Sequence, residues 1–434
     1  MKKELIWIFF SALIVRLVYV GLVYFFKPEG VFVFDSWGYL NLGSNLYHHQ
    51  VFSQYTDGSF IPDSTRTPIY PLFISLFHLL GINEWGIILS QALASSGIVL
   101  SSVIIAKKLG LNKKGLVALS IILIADPVSI FFQSVILSET IFCLALSLAV
   151  LMYLNRAYAA TGIILGLSIL IKPIAFALLL VFLLHLISNR KTTEMPYKKL
   201  VYLVLPVLLL SFSWQIRNKL AFDEFFISSI AEVNFLFHTA TNIKAKAESL
   251  DAKEVEKSYR KDLLGDLDFN KTESIKAFRS RSKRELKHQI SQHPIEFLKI
   301  SSKSFFLFFI KPLRSYFDEQ FGIKEAVPLF GVNNNGIGLR DIFKESSALS
   351  LSMIVIQGLM LLMILFGFIQ QVKSGSVIDK PYYVLLVLLI LYFAFASSIT
   401  EVDARFKLPV FPFIAILGLS SKALNGKQLP SERS

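Results

Sequence analysis

Cysteine is almost absent from this sequence: Cys143 is the only one among 434 residues, and it lies inside an apolar run. A single thiol excludes an intramolecular disulfide and any metal site built on several cysteines. Charged residues are also scarce, at 17%, where soluble proteins have about a quarter. With 54% hydrophobic residues and a mean hydropathy of +0.57, the composition predicts a polytopic membrane protein.

Nucleotide-binding and hydrolase motifs are missing as well. The sequence has no Walker A loop, no glycine-rich dinucleotide fingerprint and no Ser/His/Asp hydrolase motif. Its His and Asp residues lack metal-ligand spacing, so no cofactor is predicted and a divalent cation has no support. The net charge of +13 does not indicate nucleic acid, because Lys and Arg gather in short loops, as the positive-inside rule and contact with anionic lipid predict.

Apolar runs of about 20 residues predict an all-α transmembrane bundle. The run from Leu5 to Phe26 is too long for a cleaved signal peptide and predicts a retained first span with its N-terminus inside. The lysines between Lys107 and Lys114 predict a cytoplasmic loop. These signals together give about ten crossings and two shallow apolar segments, at 68–81 and 295–310.

Three regions follow from this topology. Residues 1–217 form an N-terminal transmembrane core with a first outer loop at 27–67, and residues 347–434 form C-terminal transmembrane helices. Between them, residues 218–346 form a mostly helical extracytoplasmic region. Helices lying along the outer face are expected beside the bundle.

Two acids occupy positions where a membrane makes them scarce. Asp35 follows the first span, and Glu139 stands at the start of a later one. A carboxylate at membrane depth costs on the order of a few kcal/mol, so it is usually retained for function. The simpler interpretations are that Asp35 caps a helix over Ser36 to Tyr47 and that the helix dipole favours Glu139. Both acids lie on the predicted outer side, which favours an enzyme.

Three cations lie on the same predicted side. Arg66 precedes a shallow apolar segment, Lys172 precedes a proline at an outer turn, and Arg405 lies in a short charged loop. The planar guanidinium suits phosphate. The simpler interpretations are snorkelling for Arg66 and Lys172 and a solvated loop for Arg405. The candidate substrate-lining residues are Tyr39, Tyr70 and Arg217.

The order of these residues resembles a known family. An Asp begins an outer helix after the first span, and Arg-x-Pro-x-Tyr-Pro follows at 66–71. Glu139, Lys-Pro at 172–173, Trp-x-x-Arg-Asn at 214–218 and Ala-Arg-Phe-Lys-Leu-Pro at 404–409 come later. This order resembles bacterial members of the protein O-mannosyltransferase-like GT-C glycosyltransferases, a group that includes the lipid A aminoarabinose transferase. The resemblance covers nearly the whole chain.

The resemblance implies a multi-pass enzyme of the cytoplasmic membrane with a GT-C fold and an active site on the extracytoplasmic face. Such an enzyme moves a sugar from a polyprenyl-phosphate donor to a hydroxyl of an envelope lipid, glycan or protein. Asp35 matches the family's first-loop aspartate, the general base, and Glu139 matches its second acid. Arg66, Lys172 and Arg405 match basic residues, and we expect them to bind the donor phosphate.

Two positions depart from the family pattern. Ser36 stands where many relatives have a second acid, and Gly38 stands where the lipid A enzyme has an arginine. A phosphate contact from this helix is therefore not predicted, and neither is a metal site.

Two other functions remain open at this stage. A transporter or lipid-linked sugar flippase could use Asp35 and Glu139 as a proton relay, although transport sites usually lie at the midplane. An O-antigen-ligase-like enzyme would also use a polyprenyl carrier, but such enzymes usually centre on a large outer loop with arginines and a histidine.

Overall fold

The computed structural model describes residues 2–188, 197–269, 271–311, 317, 320–322, 347–374, 381–399 and 403–420. Of the predicted extracytoplasmic region, residues 323–346 lie outside this described part. The regular structure of the described residues is helical. The helices are α1 (Lys2–Phe26), α2 (Phe34–His48), α3 (Ile69–Leu79), α4 (Glu84–Lys108), α5 (Lys113–Ala125), α6 (Pro127–Gln133), α7 (Glu139–Leu154), α8 (Tyr158–Ile171), α9 (Leu178–Ser188), α10 (Tyr197–Phe222), α11 (Ile230–Asn234), α12 (Thr241–Ala247), α13 (Ala252–Ser258), α14 (Glu273–Gln292), α15 (Pro294–Ile310), α16 (Ala348–Ser374), α17 (Pro381–Ile399), α18 (Ala404–Lys407) and α19 (Phe411–Leu419).

Five helices of the described part are long and apolar enough to cross a membrane: α1, α4, α10, α16 and α17. α5 and α6 together would make a sixth. α7, α8 and α9 are apolar but have only 16, 14 and 11 residues. At about 1.5 Å per residue they fall short of the roughly 30 Å hydrocarbon core. The prediction of about ten ordinary crossings therefore overestimates the number of full-length spans.

The apolar run from Leu116 to Phe132, which hydropathy alone would predict as one span, is broken. α5 and α6 meet at an angle of 47°, and Asp126 lies at the break. Its carboxylate accepts hydrogen bonds from the amides of Val128 and Ser129, at 3.3 and 3.0 Å. A capping aspartate followed by proline starts a new helix. The continuous hydropathy of this segment concealed that local signal.

The ends of several helices are joined by hydrogen bonds at one end of the bundle. The Tyr383 hydroxyl donates to the Leu109 carbonyl at 3.2 Å, which joins α17 to the end of α4. Tyr153 and His185 share a hydrogen bond of 2.8 Å, which joins the ends of α7 and α9. We call this the basic end, because Lys107 and the start of α5 lie here. The starts of α2 and α7 and the end of α8 lie at the opposite end, which we call the site end.

Close helix packing holds the bundle together at small residues. A Cβ added to Gly367 on α16 would lie 1.7 Å from the carbonyl oxygen of Gly418 on α19. Only glycine permits this approach, and small residues at helix crossings are typical of membrane proteins. Around it, large side chains such as Phe142, Phe182 and Phe413 are fully buried.

The region predicted to be extracytoplasmic has a small apolar core of its own, built from α11 to α14 and the π-helical turns between them. Arg279, a deeply buried cation of this region, contacts the Glu232 carboxylate at 3.1 Å and Glu224 at 2.6 Å. α10 continues to Phe222, so the predicted boundary between residues 217 and 218 falls inside a helix.

Candidate active site

Asp35 lies in the first turn of α2. The residue at the N-cap is Val33, whose amide donates to Ser36 Oγ at 3.0 Å. The simpler interpretation, in which Asp35 caps the helix, is therefore wrong. Its carboxylate instead faces two arginines: Oδ1 is 3.4 Å from Arg66 Nη2, and Oδ2 is 3.6 Å from Arg405 Nη1. The Asp35 side chain is 43% exposed, so a substrate can reach it.

A turn in the first outer loop positions Arg66. Asp63 Oδ1 accepts hydrogen bonds from the amides of Thr65 and Arg66, at 2.9 and 2.7 Å, the usual pattern of an Asx turn. Thr67 Oγ1 then donates to the Ile171 carbonyl at 2.9 Å, which fastens the loop to the end of α8. Asp63 was not among the predicted site residues, although Asp-Ser-Thr-Arg carries this turn signal.

Gly38 makes room for the Arg66 guanidinium. A Cβ at this position would lie 2.5 Å from Arg66 Cζ and 2.6 Å from Nη2. The lipid A enzyme has an arginine at the position of Gly38. Here the Arg66 guanidinium occupies the space beside Gly38. A cation reaches this part of α2 after all, from the first outer loop.

We expect Gly38→Ala to lower the sugar-transfer activity that the family resemblance implies about tenfold or more, while leaving the melting temperature nearly unchanged. The added methyl group would displace the flexible end of Arg66, and a misplaced group near the reaction costs up to about a hundredfold. Gly21→Ala on α1 is the matched control, because its Cβ would meet no atom within 4 Å. Equal activity of both variants would show that the position of Arg66 does not matter.

Glu139 and Lys172 form a second ion pair at the same end. Lys172 Nζ lies 2.6 Å from Glu139 Oε1, and Glu139 is only 4% exposed. Glu139 is the first residue of α7, and Lys172 follows α8 directly. The second carboxylate oxygen, Oε2, is buried without a hydrogen-bond partner among the described residues. It therefore has capacity to accept a hydrogen bond from a substrate.

Tyr39 joins the two ion pairs. Its ring lies under the Arg66 guanidinium at 5.0 Å, and its hydroxyl is 3.2 Å from Ser138 Oγ, next to Glu139. Burial raises the pKa of Tyr39, and the charges of Lys172, Glu139 and Arg66 also act on it. The five predicted catalytic and phosphate-binding residues therefore belong to one connected cluster.

Tyr70, predicted to line the substrate site, lies behind Tyr39. It is fully buried, contacts the Tyr39 ring edge-on at 4.9 Å and donates to Gln91 Oε1 at 2.7 Å. Gln91 Nε2 in turn donates to the Val135 carbonyl at 2.7 Å, ahead of α7. Tyr70 and Gln91 thus support the site from behind. Gln91, a polar residue within an apolar helix, was also missed.

Arg217, also predicted to line the site, does not contact the cluster. Its Nη1 donates to the Asp63 carbonyl at 2.8 Å, and its Nη2 donates to the Phe52 carbonyl at 3.3 Å. Its guanidinium also lies 5.0 Å from the Trp214 ring. These contacts fasten the first outer loop to α10, and this geometry favours a structural role.

The charges of the cluster favour an anion. Three cations face two carboxylates, and Arg405 acts electrostatically on Glu139 as well as on Asp35. Asp403 Oδ1 accepts a hydrogen bond from the Arg405 amide at 2.9 Å and so starts α18 at this position. The described residues include no group of three His, Cys, Asp or Glu that could hold a metal ion.

The fold is similar to that of an archaeal membrane glycosyltransferase. The oligosaccharyltransferase AglB from Archaeoglobus fulgidus, in complex with an inhibitory peptide and a dolichol-phosphate, matches with a TM-score of 0.54 at 14% identity, over 95% of this chain and 50% of that chain. The same enzyme tethered with an acceptor peptide gives 0.53 at 14% identity, over 95% and 49%. Residues 65–215 match the family described as dolichyl-phosphate-mannose-protein mannosyltransferase.

The chain has a GT-C glycosyltransferase fold. The resemblance and the fold predicted from the sequence are confirmed. The chain spans about half the length of the oligosaccharyltransferase. ArnT from Cupriavidus metallidurans, bound to undecaprenyl phosphate, is 12% identical over 93% of this chain and 77% of that chain, with a TM-score of 0.42, which is too low to support a structural argument. No curated protein sequence matches significantly.

The family match contains only part of the cluster. Arg66, Glu139 and Lys172 lie within residues 65–215, whereas Asp35 and Arg405 lie outside them. These two residues come from α2 and α18, which are far apart in the sequence. In the structure, Arg405 Nη1 lies 3.6 Å from Asp35 Oδ2.

Proposed function

We propose that this protein is an integral membrane glycosyltransferase that moves a sugar from a polyprenyl-phosphate donor to a hydroxyl of an envelope lipid, glycan or protein. The observation that carries the proposal is the cluster at the site end, where Arg66, Lys172 and Arg405 surround the carboxylates of Asp35 and Glu139. The description of the matching family names a dolichyl-phosphate-mannose donor, which supports a polyprenyl-phosphate sugar as the donor.

The proposed reaction is a single displacement. Asp35 accepts the proton of the acceptor hydroxyl as the hydroxyl oxygen forms a bond to the anomeric carbon. The bond between that carbon and the phosphate oxygen breaks, and its electron pair leaves with the polyprenyl phosphate. Phosphate is stable as an anion and needs no general acid. The product therefore has the inverted anomeric configuration, and recovery of the donor's configuration would exclude this mechanism.

The cations stabilise the leaving phosphate. Charge develops on the phosphate oxygens in the transition state, and preorganised donors in a site of low dielectric stabilise it more than water does. Arg66 and Arg405 already lie on either side of the Asp35 carboxylate. Glu139, with its unpartnered Oε2, would accept a hydrogen bond from a hydroxyl of the sugar or the acceptor.

We expect Arg405→Gln to lower kcat about 10²- to 10³-fold, because one donor to the developing charge is lost. Glutamine keeps a polar group of similar length without the charge. The measurement is sugar transfer from a polyprenyl-phosphate sugar by purified protein. Arg284→Gln is the control, since Arg284 is an exposed residue of α14. Unchanged kcat in Arg405→Gln would contradict its role.

The acceptor would approach from the region of α11 to α14. A cavity of about 340 Å³ lies between this region and the first outer loop, with Thr65 in its wall. Phe237, Phe269 and Phe278 contribute aromatic surface to it. Ser64 Oγ and Ser229 Oγ are 2.9 Å apart, so the wall of this cavity connects directly to the turn that carries Arg66.

The extracytoplasmic placement of the site is part of the proposal. The lysines at the basic end favour the cytoplasmic side by the positive-inside rule, and the site end is opposite. The donor would be a carrier already translocated across the membrane, so no nucleotide sugar would be required. Mass spectrometry of envelope glycans from cells with and without the protein tests this function. An identical glycan profile would contradict it.

A further inference from the structure

A groove of about 330 Å³ lies at the basic end, far from the cluster. α1, α4 and α5 form its walls, and Lys107 and Lys113 contribute to its lining. The rest of the wall is mostly apolar and includes Leu5, Trp7, Ile8, Leu116, Val117 and Ile121. The groove thus combines a long apolar surface with two cations at one level.

The charge around this groove is positive. Lys107 and Lys113 are exposed, and Lys108 and Lys114 adjoin them in the sequence. Glu4 is the one acid among the described residues of the lining, and its carboxylate is 3.8 Å from Lys113 Nζ. Both groups are largely exposed, so this pair contributes little and a stronger anion can compete for the lysine.

Trp7 marks the depth of the groove in the membrane. Its side chain is 73% exposed, near the N-terminus of the first span. Tryptophan is enriched where the hydrocarbon meets the polar head groups. Lys107 and Lys113 therefore lie at head-group level, and the apolar wall along α5 continues toward the hydrocarbon.

We propose that this groove binds one anionic phospholipid of the leaflet that contacts the basic end. The head-group phosphate would lie between Lys107 and Lys113, and an acyl chain would lie along Leu116, Val117 and Ile121. Basic pockets between transmembrane helices are suited to acidic head groups. The proposal concerns a different end of the protein from the sugar-transfer site and does not depend on the proposed function.

Native mass spectrometry of the full chain tests this, with phosphatidylglycerol and phosphatidylcholine of equal chain length as probes. We expect the wild type to retain phosphatidylglycerol preferentially. Lys107→Ala/Lys113→Ala should weaken retention about 25-fold, since one lysine near an anionic head group contributes roughly fivefold. Lys253→Ala/Lys257→Ala, with the same charge change on α13, should retain it as the wild type does.

A second variant separates the contribution of the apolar wall to lipid binding from that of the two lysines. Val117→Trp adds bulk at an exposed position of the wall without changing charge, and we expect it to reduce phosphatidylglycerol retention as well. Equal retention of both lipids by the wild type would overturn the proposal. Equal losses in the two lysine variants would also overturn it, because binding would then follow net charge alone. So would full retention by Val117→Trp.

Discussion

Asp35→Asn should reduce sugar transfer about 10²- to 10⁴-fold, because the amide cannot accept the proton of the acceptor hydroxyl. Asparagine has nearly the same shape, and Asp35 does not cap α2, whose N-cap is Val33. We therefore expect the helix to be retained and the melting temperature to change little. The measurement is the rate of transfer from a purified polyprenyl-phosphate sugar at saturating donor.

The matched control for this substitution is Asp57→Asn. Asp57 lies in the same outer loop, and its carboxylate accepts a hydrogen bond from the hydroxyl of Ser59 at 2.7 Å. This bond lowers the pKa of Asp57, but the residue is exposed and does not contact the cluster. Asp57→Asn should transfer sugar at the wild-type rate. Full activity of Asp35→Asn would exclude Asp35 as the base.

Lys172→Met should lower the free energy of unfolding by roughly 3 kcal/mol, because it leaves the Glu139 carboxylate buried without its partner. Glu139 is 4% exposed, and its Oε1 lies 2.6 Å from Lys172 Nζ. The expected loss is at the lower end for buried pairs, since the Lys172 side chain is 21% exposed. Denaturant titration of the protein in detergent micelles measures it.

Two further variants identify the cause of that loss. Lys219→Met breaks an exposed ion pair, in which Lys219 Nζ lies 2.5 Å from Asp223 Oδ1. It should lower the free energy of unfolding by less than about 1 kcal/mol. Glu139→Gln combined with Lys172→Met removes both charges and should recover most of the lost stability. If the double variant were as unstable as Lys172→Met, the loss would come from packing instead of an unpaired charge.

Most of the residues that form the cluster could be predicted from the sequence. Asp35, Arg66 and Glu139 were assigned to one side of the membrane from the positions of apolar runs and lysines, and the structure brings their side chains to one end. Topology alone determines on which side of the membrane each helix end lies. Residues at helix ends on the same side are therefore candidates for contact.

The pairing within the site could not be predicted in the same way. Whether Arg66 faces Asp35 or Glu139 depends on the rotation of α2 and the path of the first outer loop. The Asx turn at Asp63 and the space above Gly38 determine both. These are contacts between segments distant in the sequence, and hydropathy carries no information about them.

Two other predictions show the same limit. Arg217 was a candidate substrate-lining residue, but its donors bind backbone carbonyls of the first outer loop. The break at Asp126 was overlooked because length and hydropathy outweighed an aspartate followed by proline. In both cases the polar contacts of a single side chain decided the outcome.

The most direct test of the central claim is a structure of the protein with a bound polyprenyl-phosphate sugar. We predict that the donor phosphate lies within hydrogen-bonding distance of Arg66, Lys172 and Arg405. The anomeric carbon should then face the Asp35 carboxylate with space for an acceptor hydroxyl between them. A phosphate bound away from these three cations, or an anomeric carbon that Asp35 cannot reach, would contradict the account.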